Sequence, residues 1–103
     1  MPENVSYWLI TSNKEKPIMP EYKVFLSGRA KKQLDKLSFT IAQPILEAIK
    51  DLGNNPRPQG YIKLKGRDGF RIRAGNYRII YEIFDTDLIV DVVTLGHRKD
   101  IYE

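Results

Sequence analysis

The chain has no cysteine. Disulfide staples and thiolate zinc sites are therefore excluded, and its 103 residues must hold together by burying apolar surface. With a single histidine, a metal site would have to draw on carboxylates, and no spacing of Asp or Glu forms one. No metal or other cofactor is expected. Long hydrophobic runs are also missing. The longest near the start, Val5 to Ile10, is interrupted by Ser6 and is far too short to span a bilayer. It lacks the basic lead-in of a secretory signal. A cytoplasmic protein without a membrane partner is the simple expectation.

The chain does have enough apolar content, 42% hydrophobic and 11% aromatic residues, to form a folded globule. Its net charge of +4 is unevenly spread. Between Tyr61 and Tyr81 stand Lys63, Lys65, Arg67, Arg71, Arg73 and Arg78 against the single acid Asp68. That stretch carries +5, and the rest of the chain sums to −1. Such concentration points to an anionic partner; an ordinary solvated strand face is the bland alternative.

Residues 1–18 show weak periodicity and end in Lys14-Glu15-Lys16-Pro17. They are expected to form a leader, with the main domain over 19–103; Tyr7-Trp8-Leu9-Ile10 is a candidate extra strand within it. From Tyr22 the pattern is legible. Tyr22–Leu26 reads as a strand. Ser27 is a candidate N-cap for a helix over 28–37 that turns Ala30, Leu34 and Leu37 inward. A second helix is predicted over 40–52, with Ile41, Ile45, Ile49 and Leu52 on one stripe, Pro44 near its first turn, and a left-handed cap at Gly53-Asn54. The short link makes the two helices an antiparallel pair. Strands follow over about 61–65, 69–75, 77–84 and 88–95, joined by short turns into an antiparallel meander. The expected architecture is α+β, with the helical hairpin on one face of the sheet.

The most informative feature is the hairpin closed by Gly75-Asn76. A two-residue turn there sets Arg73 opposite Arg78 and Arg71 opposite Ile80, with all three arginines on one face. Like charges directly opposite one another are destabilising. A small domain that keeps them presents that face to a strong anion, and RNA is the leading candidate.

Taken in order, several segments resemble the RelE/ParE toxin superfamily. They are Ala30-Lys31-Lys32-Gln33-Leu34-Asp35-Lys36-Leu37, Asn55-Pro56, Lys63-Leu64-Lys65-Gly66, Phe70-Arg71-Ile72-Arg73, Gly75-Asn76-Tyr77-Arg78-Ile79-Ile80-Tyr81, and Gly96-His97-Arg98-Lys99-Asp100-Ile101-Tyr102. The resemblance covers 19–103. It implies a type II toxin held inactive by a cognate antitoxin in a hetero-oligomer. The RelE-like branch implies a ribosome-dependent mRNA endonuclease that works without a metal. The ParE-like alternative is a DNA gyrase inhibitor without nuclease chemistry, and a catalytically silent module that binds RNA or antitoxin is a third. Carried over by position, the implied catalytic residues are Arg71, Arg73, Arg78, Arg98 and Tyr102. Where some members place lysines in the paired strands, this chain has arginines.

Metal-free cleavage requires a 2′-hydroxyl to attack the neighbouring phosphorus while the enzyme steadies a dianionic phosphorane. A guanidinium suits that task, because its planar fork matches phosphate oxygens and stays charged; for the same reason it is no general base. Tyr102 is the first candidate for acid/base work, since a phenol beside arginines has a lowered pKa and can stack on a base. His97 is a second, and also a candidate RNA contact. Asp100 and Glu103 are more readily partners of Arg98 or Lys99. Lys63, Lys65 and Arg67 are expected to track the RNA backbone. Phe70, Tyr77 and Tyr81 share the parity of inward residues and read as packing.

Overall fold

The computed structural model describes residues 21–97. The leader, its candidate strand at Tyr7–Ile10, Arg98, Asp100, Tyr102 and Glu103 lie outside the described residues. The elements run β1 (Lys23–Leu26), α1 (Gly28–Asp35), α2 (Phe39–Asn54), β2 (Ile62–Lys63), β3 (Phe70–Ala74), β4 (Tyr77–Phe84) and β5 (Ile89–His97). They form the expected α+β fold, a five-stranded sheet in the order β1-β5-β4-β3-β2 with both helices on one face. β2 to β5 make the antiparallel meander, and β1 joins β5 in parallel.

Alternation along the strands puts Val24, Leu26, Ile72, Ile79, Tyr81, Val90, Val92 and Leu95 against the helices. There they meet Ala30 and Leu34 of α1 and Ile45, Ile49 and Leu52 of α2. Each fully buried aliphatic side chain contributes about 1.5–3 kcal/mol. Ile41 departs from the expected stripe: in the first turn of α2 it is 43% exposed and borders a cavity with Ala74, Tyr77 and His97 at the hairpin end of the sheet. Pro44 sits further inside α2 than its first turn, and its missing N–H costs one hydrogen bond to Thr40.

Gly53 does not form the left-handed cap that the sequence predicts. α2 continues through it to Asn54, and the chain turns out at Asn55 with φ −152°. Gly53 is buried, and its carbonyl accepts the Tyr22 N–H at 2.7 Å, which ties the end of α2 to the start of β1. The strand predicted over 61–65 shrinks to two residues. The Leu64 N–H still donates to the Gly69 carbonyl at 3.1 Å before the chain turns through Gly66 at φ +74°.

β1 ends opposite Val92, which leaves the edge of β5 beyond it without a strand partner. Helix α1 closes that edge. The Ser27 hydroxyl accepts the Ala30 N–H as N-cap at 3.0 Å and donates to the Val93 carbonyl at 2.6 Å. The Leu95 N–H donates to Gln33 Oε1 at 2.9 Å, and the Thr94 hydroxyl to the same oxygen at 3.1 Å. Val93 is the extra residue of a bulge, since Ile80 faces Thr94 while Tyr81 faces Val92.

A second set of polar ties fixes the connection from α2 to β2. Arg57 grips Asp85 with two N–H groups at 3.2 and 2.9 Å, and the Tyr22 phenol donates to the same carboxylate at 2.6 Å. The buried Tyr81 hydroxyl donates to the Pro56 carbonyl at 2.7 Å, and burial raises its pKa far above the ordinary phenol value. Among the described residues, no helix is long and apolar enough to cross a membrane.

Two outcomes follow. Gln33→Leu leaves the Leu95 N–H without its acceptor and is expected to lower stability by about 1–3 kcal/mol, read as a reduced denaturant midpoint. Asp35→Ala, which removes the exposed pair with Lys31, is expected to change stability by less than about 0.5 kcal/mol. The hydrogen bond from Arg57, then that from Tyr22, holds the Asp85 carboxyl down at about 2, below its ordinary 3.8. A depressed folded-state value stabilises the fold above the unfolded value and stops doing so as pH falls through the folded one. The Asp85 contribution is therefore expected to be complete above pH 4 and lost by pH 2, and Asp85→Asn should flatten that part of a stability–pH curve.

Candidate functional site

The site begins with a turn. Gly75 takes φ +62° at the first central position of the two-residue hairpin loop, the conformation of a type II′ turn that suits the twist of flanking strands. That turn pairs Ala74 with Tyr77, Ile72 with Ile79, Arg73 with Arg78 and Arg71 with Ile80. Ile72 and Ile79 face the helices, so the arginines stand on the opposite face. This is the register expected from the sequence. Gly96 lies across from Arg78 on β5 and puts no side chain beside it.

The three arginines sit at different depths. Arg71 is buried with 6% exposure, Arg78 is half-buried, and Arg73 is exposed. Arg73 takes part in neither ion pair found among the described residues. A phosphate set between Arg73 and Arg78 turns their like-charge repulsion into attraction.

The remaining sequence candidates are placed elsewhere. His97 pairs with Tyr77, and its ring meets the Tyr77 ring edge-on at 5.5 Å on the helix side of the sheet. It therefore stands across the sheet from the arginine cluster. Lys63 pairs with Phe70, also on the helix side; its Nζ lies 5.6 Å from the Phe70 ring centre and donates to the Arg67 carbonyl at 3.3 Å. Lys65 and Arg67 are exposed in the turn that leads into β3, at the end away from Gly75. Arg98 and Tyr102 lie outside the described residues. The structure thus brings Arg71, Arg73 and Arg78 together and separates His97 and Lys63 from them. Among the described residues there is no group of His, Asp or Glu able to hold a metal.

A cavity of about 530 Å³ adjoins the cluster, lined by Arg71, Arg73 and Ile62 from the strands, Ala48 and Asp51 from α2, and Gln59 from the following loop. Asp51 and Gln59 escape the sequence analysis because only the packing of α2 beside β3 brings them to the arginines. At the other end of the same sheet face Glu82 pairs with Asp91, and burial pushes the Asp91 carboxyl up. The face is basic at the hairpin end and acidic at the far end.

Comparison with known proteins now gives this geometry a family. Residues 24–102 match the model of the ParE toxin of type II toxin–antitoxin systems, parDE. A relative from Escherichia coli described as a putative RelE-like toxin protein is 34% identical over 86 residues, covering 79% of this chain and 90% of the relative. The mRNA interferase toxin RelE of Escherichia coli strain K12 is 27% identical over 74 residues, 69% of this chain and 77% of that one. The fold resembles the archaeal RelE–RelB complex from Pyrococcus horikoshii with a TM-score of 0.69 and 29% identity, covering 81% of this chain and all of that one. The chain belongs to the RelE/ParE superfamily and is a RelE-like toxin of the type II toxin–antitoxin class.

Proposed function

We propose that this toxin is an endoribonuclease that cuts mRNA on the ribosome, with Arg71, Arg73 and Arg78 holding the scissile phosphate. The cross-strand pair of Arg73 and Arg78, with Arg71 beside it, is the observation that carries this reading. A K12 relative named an mRNA interferase supports it. The reaction is attack by the 2′-oxygen on the adjacent phosphorus. One P–O bond forms, the bond to the 5′-oxygen of the next nucleotide breaks, and the products are a 2′,3′-cyclic phosphate and a 5′-hydroxyl. The proton lost from the 2′-hydroxyl must leave and one must reach the departing oxygen.

The arginines serve the charge that builds on the phosphorane, not the proton transfers. Arg98 adds a further clamp and Tyr102 moves a proton, both by position in the family motif. His97 lies on the far face from the arginines, which favours a supporting role for it. With no lysine in the paired strand positions, proton transfer depends on Tyr102 and on the ribosome's orientation of the RNA. Lys65 and Arg67 contribute affinity through phosphate contacts.

The partner in the resting state is an antitoxin, in keeping with the RelE–RelB complex among the structural relatives. Carboxylates brought to the arginine face would both relieve its repulsion and exclude RNA. A second reading, inhibition of DNA gyrase, is favoured by the ParE description of the matching family model.

Controlled expression followed by mapping of mRNA 5′ ends on translating ribosomes tests the assignment. Cuts within ribosome-bound messages are expected. Intact messages together with trapped gyrase–DNA complexes would instead establish the second activity. Arg78→Ala is expected to lower cleavage about 10²–10³-fold and to relieve growth arrest while antitoxin still binds. Growth arrest of undiminished strength would remove Arg78 from the mechanism.

A further inference from the structure

We propose that the helix-free face of the sheet is complementary to itself, and that two copies of this chain dock on it with Arg73 of each in an acidic, aromatic pocket of the other. The pocket lies at the end of the face away from the hairpin turn. It is a cavity of about 400 Å³ lined by Phe25 of β1, Phe84 of β4, Ile89 and Asp91 of β5, and Asp87 of the turn before β5. Phe84 is 43% exposed, and Asp87 is exposed as well. Neither Asp87 nor Asp91 enters an ion pair among the described residues. Burial pushes the Asp91 carboxyl up, as expected of an acid that stands without a cation. Aromatic rings beside unpaired carboxylates suit a guanidinium, whose plane stacks on a ring while its N–H fork matches a carboxylate.

Arg73 supplies that guanidinium. It is exposed, and among the described residues it enters no ion pair. The register fixes where it stands. Arg73 pairs with Arg78, Asp91 pairs with Glu82, and Ile80 lies midway between those positions on β4. Arg73 is on the strand to one side of β4 and Asp91 on the strand to the other. On ordinary strand spacings the two are about 16 Å apart, too far to pair within one copy. A two-fold axis above Ile80, parallel to the sheet and perpendicular to that diagonal, brings Arg73 of each copy over Asp91 of the other. Such an interface is isologous: one symmetry operation makes both contacts and closes the dimer. A cation arriving beside Glu82 and Asp91 relieves the repulsion between them, and an acid arriving at Arg73 does the same at the hairpin end. Ile80 is only 2% exposed, so the ends of the face carry the contact, and an attraction of that kind falls with salt. An Arg73 engaged in this way is withheld from phosphate, which makes the monomer the cleaving form and the dimer a restrained one. That consequence rests on the phosphate-holding role proposed above; the dimer itself does not.

Sedimentation velocity of the purified full-length toxin, over a concentration series at low and at high salt, reads the dimer directly. A monomer–dimer equilibrium that shifts toward monomer at high salt is expected. Arg73→Glu and Asp91→Arg should each weaken the dimer by about tenfold or more. The double variant Arg73→Glu/Asp91→Arg should recover most of that loss, because both reversed contacts are complementary again. Asp87→Arg, at an exposed position where folding is not at stake, should weaken the dimer as well. A monomer at every concentration, or a dimer indifferent to these charge reversals, would overturn the proposal. On translating ribosomes, cleavage per copy of toxin should fall as its concentration rises through the dimer range and stay level in Asp87→Arg. Equal cleavage per copy in monomer and dimer would overturn the restraint. A salt-sensitive, Arg73-dependent dimer of a protein that cuts no message would sustain the interface and remove the phosphate hold instead.

Discussion

The pairing of β3 with β4 in a single register is the constraint on which the rest of the molecule depends. Side chains alternate along a strand, so a slip of one residue would send Arg71 and Arg73 into the core and Ile72 out to solvent. Three forces hold the register: the glycine-led turn, the burial of Ile72, Ile79 and Tyr81, and the ladder that joins β4 to β5. A like-charge pair across a sheet costs about 0.2–1 kcal/mol. Burial of each apolar neighbour contributes about 1.5–3 kcal/mol, so the core decides the register and the arginines are carried with it.

The same alternation creates an electrostatic gradient on the helix-free face. Arg73 faces Arg78 near the hairpin turn, and Glu82 faces Asp91 four residues further along β4. At about 3.3 Å per residue the two like-charge pairs stand roughly 13 Å apart, beyond the screening length at physiological salt. A polyanion is thus drawn to one end and repelled from the other, which orients it before any specific contact forms.

Much of this was readable from the residues. The 77–84 strand is found at its expected limits, the Ser27 cap and the Ala30–Leu34 face of α1 form as periodicity predicts, and the arginine register follows from one turn. What escaped prediction depends on non-local contact. The role of Gly53 comes from its proximity to Tyr22, which is far away in the chain. The parallel pairing of β1 with β5 leaves no local signature. His97 lies on the helix side because of its place in the β5 register, which a bulge at Val93 makes unreadable from simple alternation counted along the strand. Asp51 becomes a site candidate only when α2 is laid against β3.

The connection after α2 has a thermodynamic consequence. Asn55 Oδ1 accepts the Arg57 N–H, the Tyr81 phenol holds Pro56, Arg57 holds Asp85, and the Tyr61 N–H closes onto the Pro58 carbonyl. A free loop of this length would lose about 1–2 kcal/mol of backbone entropy per residue on being fixed. Here that loss is absorbed when the chain folds, so a molecule settling against Gln59 and Gly60 meets a wall already in place. Its association should carry little of the ordering penalty that accompanies loop closure elsewhere, and its affinity should vary only weakly with anything that changes chain flexibility.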